Sequence, residues 1–190
     1  MWTLSEVPPT GTTIYSDTFE TATGWTVNPA STDTATTGRW ERGNPAGTTS
    51  GGVTTQLDAT VSGVNALVTG AAAGASAGAN DLDGGTTTVQ SPTIALPAGA
   101  TLRLSFQYYL AHLNNASSAD LVRVRVVGST STTVLTVTGA ASNRSAAWTS
   151  SSVDISAFAG QTVRVVVEAA DAGTASLVEA AVDDVTIVRL

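Results

Sequence analysis

Apolar and polar side chains alternate through the second half of this 190-residue chain. Leu102, Leu104, Phe106, Tyr108 and Leu110 interleave with Arg103, Ser105, Gln107 and Tyr109, a period of two that marks a half-buried strand. Val122, Val124 and Val126 alternate with Arg123 and Arg125, and Val163, Val165 and Val167 with Arg164 and Glu168. Residues 134–137 and 148–155 predict two more strands, and the last strand is predicted over about 178–188. No long amphipathic helix pattern occurs, and Ala157-Phe158-Ala159-Gly160 suffices for one turn at most. Each strand has one apolar face, which a second sheet must cover. Short strands punctuated by Gly and Ser therefore predict an all-β, antiparallel β-sandwich.

The first half is less regular. Residues 1–13, with Val7-Pro8-Pro9-Thr10-Gly11-Thr12-Thr13, read as a linker that joins the domain, residues 14–190, to something upstream;. Residues 14–20 predict the first strand, and Gly24-Trp25 a turn into a short second one. Residues 28–85 read as loop-rich, broken at Asn28-Pro29, Gly43-Asn44-Pro45, Gly51-Gly52 and Gly84-Gly85;. Only 39–41 and 66–68 read there as strand fragments. Residues 70–80 are nearly all Gly, Ala and Ser, too small to supply a core element.

Composition narrows the chemistry. There is no cysteine, so disulfides, thiolate metal sites and cysteine nucleophiles are excluded;. A single histidine excludes a multi-histidine metal site. Every basic residue is arginine, the net charge is −7, and no basic run occurs, which disfavours nucleic acid;. No stretch approaches the roughly 20 apolar residues of a membrane-spanning helix. An acidic, lysine-free, Ala/Thr-rich chain reads as an exported bacterial protein, with Met1 downstream of any leader;. The charge and the absence of an apolar surface stripe predict a monomer.

A serine-protease-like triad would have to use His112, and no Gly-x-Ser-x-Gly elbow accompanies it;. His112 ends a strand just before Leu113-Asn114-Asn115, and reads either as a loop-edge residue bonded to a neighbour or as a ligand contact beside Asn114. The acids are more informative. Asn80-Asp81-Leu82-Asp83-Gly84-Gly85 has the D-x-D-G spacing of oxygen-ligand calcium loops without the rest of an EF-hand;. Asp183-Asp184 lies between Val182 and Val185, and adjacent carboxylates in an apolar strand are costly unless compensated;. In a jelly roll the first and last strands can be neighbours. A structural Ca2+ bridging Glu20 and Asp183 would then tie the termini together. The alternative is solvated turn acids and an Asp–Arg pair, with Arg189 or Arg164. Trp25, Trp40, Trp148 and an outward-facing Tyr109 are either sugar-stacking residues or anchors of the core and its edges.

Five motifs occur in order: Asp17-Thr18-Phe19-Glu20 with Gly24-Trp25; residues 38–45 around Arg39-Trp40-Glu41; Asn80 to Gly85 with Ser91-Pro92-Thr93-Ile94; residues 157–163; and Val182-Asp183-Asp184-Val185. Together they resemble the C-terminal accessory jelly-roll domain of secreted actinobacterial zinc carboxypeptidases of the carboxypeptidase T type. More distantly they are similar to MAM and galactose-binding-like sandwiches. The resemblance implies a non-catalytic domain attached to an upstream peptidase domain, whose zinc ligands lie outside this chain. It implies calcium between the first and last strands, with Glu20 and Asp183 the foremost ligands, then Asp17, Asp83 and Asp184, and Asp33 and Asp120 as outer candidates. A function in stability or in attachment to a protein or polysaccharide surface follows, and the alternative is a carbohydrate-binding module using Trp40, Tyr109, His112 and Asn114.

Overall fold

A computed structural model describes residues 11–190, so most of the expected linker lies outside the described residues. The strands are β1 Thr12–Asp17, β2 Thr26–Val27, β3 Trp40–Gly43, β4 Thr48–Ser50, β5 Val53–Gln56, β6 Ala66–Thr69, β7 Gly85–Gln90 and β8 Ile94–Ala95. They continue with β9 Leu102–His112, β10 Leu121–Val127, β11 Ser131–Thr138, β12 Thr149–Asp154, β13 Thr162–Asp171 and β14 Val178–Arg189. The first strand begins inside the expected linker. A 3-10 turn, Ser156–Phe158, is the one turn anticipated near residue 157.

One sheet runs β12-β9-β14-β6-β3, with β1 also paired to β14; the other runs β11-β10-β13-β7-β2, with β8 paired to β13. All pairings are antiparallel. The period-two strands explain the core. Leu104, Phe106, Val124, Val165, Val182 and Ile187 point between the sheets and are almost wholly buried; each such side chain contributes on the order of 1.5–3 kcal/mol. The fold is thus an antiparallel β-sandwich of the jelly-roll kind.

Two features differ from the sequence reading. Gly85, read as loop, opens β7, whose Thr87 and Val89 turn inward against β13. The outer face of the first sheet is not bare. The β4–β5 hairpin and the segment around Leu57 and Ala71 cover it, forming a second, smaller core of Val68, Tyr109, Ala111, Ala146 and Ala181. Gly70 enables this close wrap: its φ is +68°, and a Cβ there would lie 2.2 Å from the Asn80 carbonyl oxygen.

Candidate functional site

Strand β14 has different partners along one edge. β6 pairs with it at Ala181 and Val182, while β1 pairs from Val185 onward, with Asp17 opposite Val185. Between these partners sit Asp183 and Asp184. The register to β9 shifts there, and Asp184 adopts φ +50°. The edge is therefore interrupted at the paired acids, and the chain entering β6 fills the gap. The amides of Val61 and Ser62 donate to Asp183 Oδ2 at 2.9 and 3.4 Å, and Ser62 Oγ donates to Asp184 Oδ1 at 2.5 Å. Glu20, just beyond β1, accepts at Oε1 from the amides of Val64 (3.0 Å) and Asn65 (2.8 Å). Acids from the two ends of the chain thus hold one loop. Gly63 fits it: φ is +60°, and a Cβ would come within 2.2 Å of the Glu20 carboxyl carbon.

Burial pushes the Asp183 carboxyl up to about 6, opposed by the amides that it accepts. Glu20 is partly exposed, and the Asn65 amide holds it below its usual value. The Asp–Arg pair of the alternative reading does not form among the described residues. The described ion pairs are Arg123 and Arg125 with Glu168, and Arg164 donates to the Ser91 carbonyl instead.

The donor set fits calcium chemically. Carboxylate oxygens are hard ligands, and Glu20 Oε2 and Asp184 Oδ2 have no described hydrogen-bond partner. Among the described residues, no three carboxylate or imidazole side chains are spaced to enclose a metal alone. A calcium ion here would also need backbone carbonyls.

The other two expected ligands lie elsewhere. Asp17 is already saturated: its oxygens accept from the Phe19 amide (2.8 Å), Trp25 Nε1 (2.8 Å), the Tyr15 hydroxyl (3.1 Å) and Thr23 Oγ1. It fixes the turn that orients Trp25. Asp83 belongs to the far end of the sandwich, where it acts electrostatically on Asp81 and Asp171. Asp81 is 3% exposed and its Oδ1 has no partner. Burial, then repulsion from Asp83 and Asp171, raises it to about 7. Asp171 is raised to about 6, chiefly by burial. Burial also raises Glu179 well above its usual value, despite a 2.8 Å bond from Thr69 Oγ1. Asp120 accepts from Ser117 and Ala172 amides at 2.6 and 2.9 Å. Sequence reasoning found the Asp81-x-Asp83 spacing but missed Asp171 and Glu179, which only the fold brings near.

The aromatic candidates require correction. Trp40 and Tyr109 are each 2% exposed, and His112 is fully buried. None presents a face to a sugar. Trp40 packs into the inter-sheet core. Tyr109 points outward as alternation required, but into the second core, edge-on to Trp148 with ring centroids 5.0 Å apart. His112 faces its neighbour's carbonyl, Nδ1 to Leu113 O at 3.0 Å. Asn114 is exposed in the following loop.

The sequence of residues 18–189 matches the MAM domain, meprin/A5/mu. The chain belongs to the MAM domain family. No curated protein matches this MAM domain. Its fold is similar to the K1 cleaved adhesin domain of Lys-gingipain from Porphyromonas gingivalis W83, at 19% identity and TM-score 0.54, over 93% of this chain and 98% of that one. It is also similar to the CBM22-1 xylan-binding domain of Xyn10C from Paenibacillus barcinonensis, at 10% identity and TM-score 0.51, covering 94% and 95%. A third neighbour is the CBM22-1–GH10 portion of Clostridium thermocellum xylanase 10B, complexed with xylohexaose, at 16% identity and TM-score 0.50. There the match covers 94% of this chain and 28% of that one. At these identities the likeness is one of fold.

Proposed function

We propose that this MAM domain is a non-catalytic, extracellular polysaccharide-binding module of a larger protein, tied together by a calcium ion that Glu20 and Asp183 share with backbone carbonyls. The observation that carries the calcium reading is the convergence of Glu20 and Asp183, from opposite ends of the chain, on one stretch of the β5–β6 connection, residues 61–65. An ion there would neutralise the buried Asp183 and fix the loop, a structural role without a step in any reaction. The target class rests on the xylan-binding and adhesin domains that share the fold; fold alone leaves function open, so binding itself is the test. Electrophoresis through gels containing neutral or acidic polysaccharide, with calcium, should retard the domain in at least one gel. Unaltered mobility in all would refute the reading.

A second reading, an accessory domain of a zinc carboxypeptidase, is supported by the ordered motifs from Asp17-Thr18-Phe19-Glu20 to Val182-Asp183-Asp184-Val185. Its test is the reading frame upstream of Met1, which should encode the peptidase domain; any other catalytic domain there would refute it.

A further inference from the structure

The outer face of the second sheet carries a groove of about 410 Å³ between the 29–33 segment and strands β7, β13 and β10. Alternation builds it. Val122, Val124, Val165 and Val167 turn inward, so Arg123, Arg125, Val166 and Glu168 turn outward, and the register sets Arg123 opposite Glu168 and Glu168 opposite Thr88. Three of the chain's arginines, Arg123, Arg125 and Arg164, lie on this face, although the chain carries −7 overall.

The acceptors in the groove are already used. Glu168 takes Arg123 at 3.2 Å with one oxygen and Arg125 at 3.4 Å with the other. Asp33 takes the Thr88 amide at 2.7 Å and its hydroxyl at 2.6 Å. The donors are not. A guanidinium has five N–H groups, yet Arg125 has one described bond, from Nη2 to Glu168, and its side chain is 32% exposed. Glu168 holds both guanidiniums in place, so little ordering is left for a ligand to impose. No aromatic ring lines the groove, so a neutral sugar finds no stacking platform. A planar carboxylate finds fork-shaped donors that match it.

We propose that this groove binds the carboxylate of a uronic acid residue in an acidic polysaccharide, with Arg125 the principal contact, Arg123 its partner, and Glu168 positioning both. The proposal rests on the polysaccharide-binding reading above and names its target.

The test is affinity electrophoresis, with calcium held constant, in gels containing polygalacturonate or xylan. Wild-type protein, Arg125→Gln, the Arg123→Gln/Arg125→Gln double variant and Arg103→Gln, a charge control on the other sheet, are compared. Polygalacturonate should retard the wild type. Apparent affinity should fall about tenfold or more in Arg125→Gln, further in the double variant, and hold in Arg103→Gln. Raising salt from about 20 to about 300 mM should weaken it, because the groove is open to solvent. The single variants should melt close to the wild type, since partly exposed ion pairs add little stability, and the double variant, which leaves Glu168 without its two arginines, is compared at a temperature where its melt shows it folded. Retardation by xylan alone, insensitive to Arg125→Gln, would overturn the groove and leave the polysaccharide reading standing. Retardation by neither would overturn both. Competition by polyglutamate as effective as that by oligogalacturonate would show that charge alone is read and overturn the assignment to a sugar.

Discussion

Asp81→Asn should stabilise this domain at pH 8. Asp81 is buried at the end of the sandwich, its Oδ1 lacks a partner, and Asp83 and Asp171 repel it. Its folded-state value, about 7, lies above the unfolded value. The folded state therefore holds the proton more tightly. The stability is present in full below the unfolded value, near pH 4, and is lost as pH rises through 7. Worked through the linkage, roughly 2.7 kcal/mol of this loss falls between pH 5 and pH 8. Local relaxation around a buried carboxylate reduces the figure to roughly 1.5 kcal/mol. At about 2–4 °C per kcal/mol for a domain of this size, the wild-type midpoint in chelator should fall by about 3–6 °C between those pH values. Asp171 and Asp183, both near 6, act in the same direction and add to the slope. Glu20, lowered by the Asn65 amide, and Asp154, lowered by Ser156, lose their contributions only below the acidic edge of this window. Asp81→Asn should raise the midpoint at pH 8, change it little at pH 5, and flatten the slope without abolishing it. A wild-type midpoint that rises from pH 5 to pH 8, or a variant destabilised at pH 8, would refute the reasoning.

Two other variants test the packing. Trp40→Ala removes the largest fully buried side chain and should cost about 3–5 kcal/mol, read as a lowered denaturant midpoint, while the folded fraction keeps its polysaccharide retention; loss of retention with an unchanged midpoint would restore Trp40 as a ligand contact. Gly63→Ala places a methyl group against the Glu20 carboxylate at φ +60° and should cost about 1–2 kcal/mol and shrink any calcium-induced rise in the melting midpoint; an unaltered rise would separate the 60–65 loop from the ion.

Legibility in the sequence followed local periodicity. β9, β10 and β13 are readable because valine, leucine or phenylalanine recurs at every second position over at least five residues. β7 is not, because its inward Thr87 is polar by type and buried by position. The pairing of first and last strands was foreseeable from acids at both ends of a jelly roll; the 61–65 stretch that Glu20 and Asp183 both hold was not. The separation of Asp83 from that pair was not, since it depends on which end of the sandwich the 70–85 segment reaches. Tyr109 shows a different limit. Alternation gave the direction of its ring correctly, but its cover, the β4–β5 hairpin and the loop carrying Leu57, lies some fifty residues away in a stretch without apolar periodicity. The groove around Arg125 was visible only as polar positions of a strand, because its rim at 29–33 and its partner Glu168 come from distant segments.

The central claim is the calcium tie between the chain's two ends, and thermal melts in calcium and in excess chelator test it most directly. Calcium at about 100 times its dissociation constant should add roughly 2.7 kcal/mol, a rise of about 5–11 °C, and Asp183→Asn should abolish it. An unchanged midpoint in protein that elemental analysis shows to be metal-free in chelator would contradict the tie and leave the amides of Val61, Ser62, Val64, Asn65 and Asp184, with the Ser62 hydroxyl, as the partners of these acids.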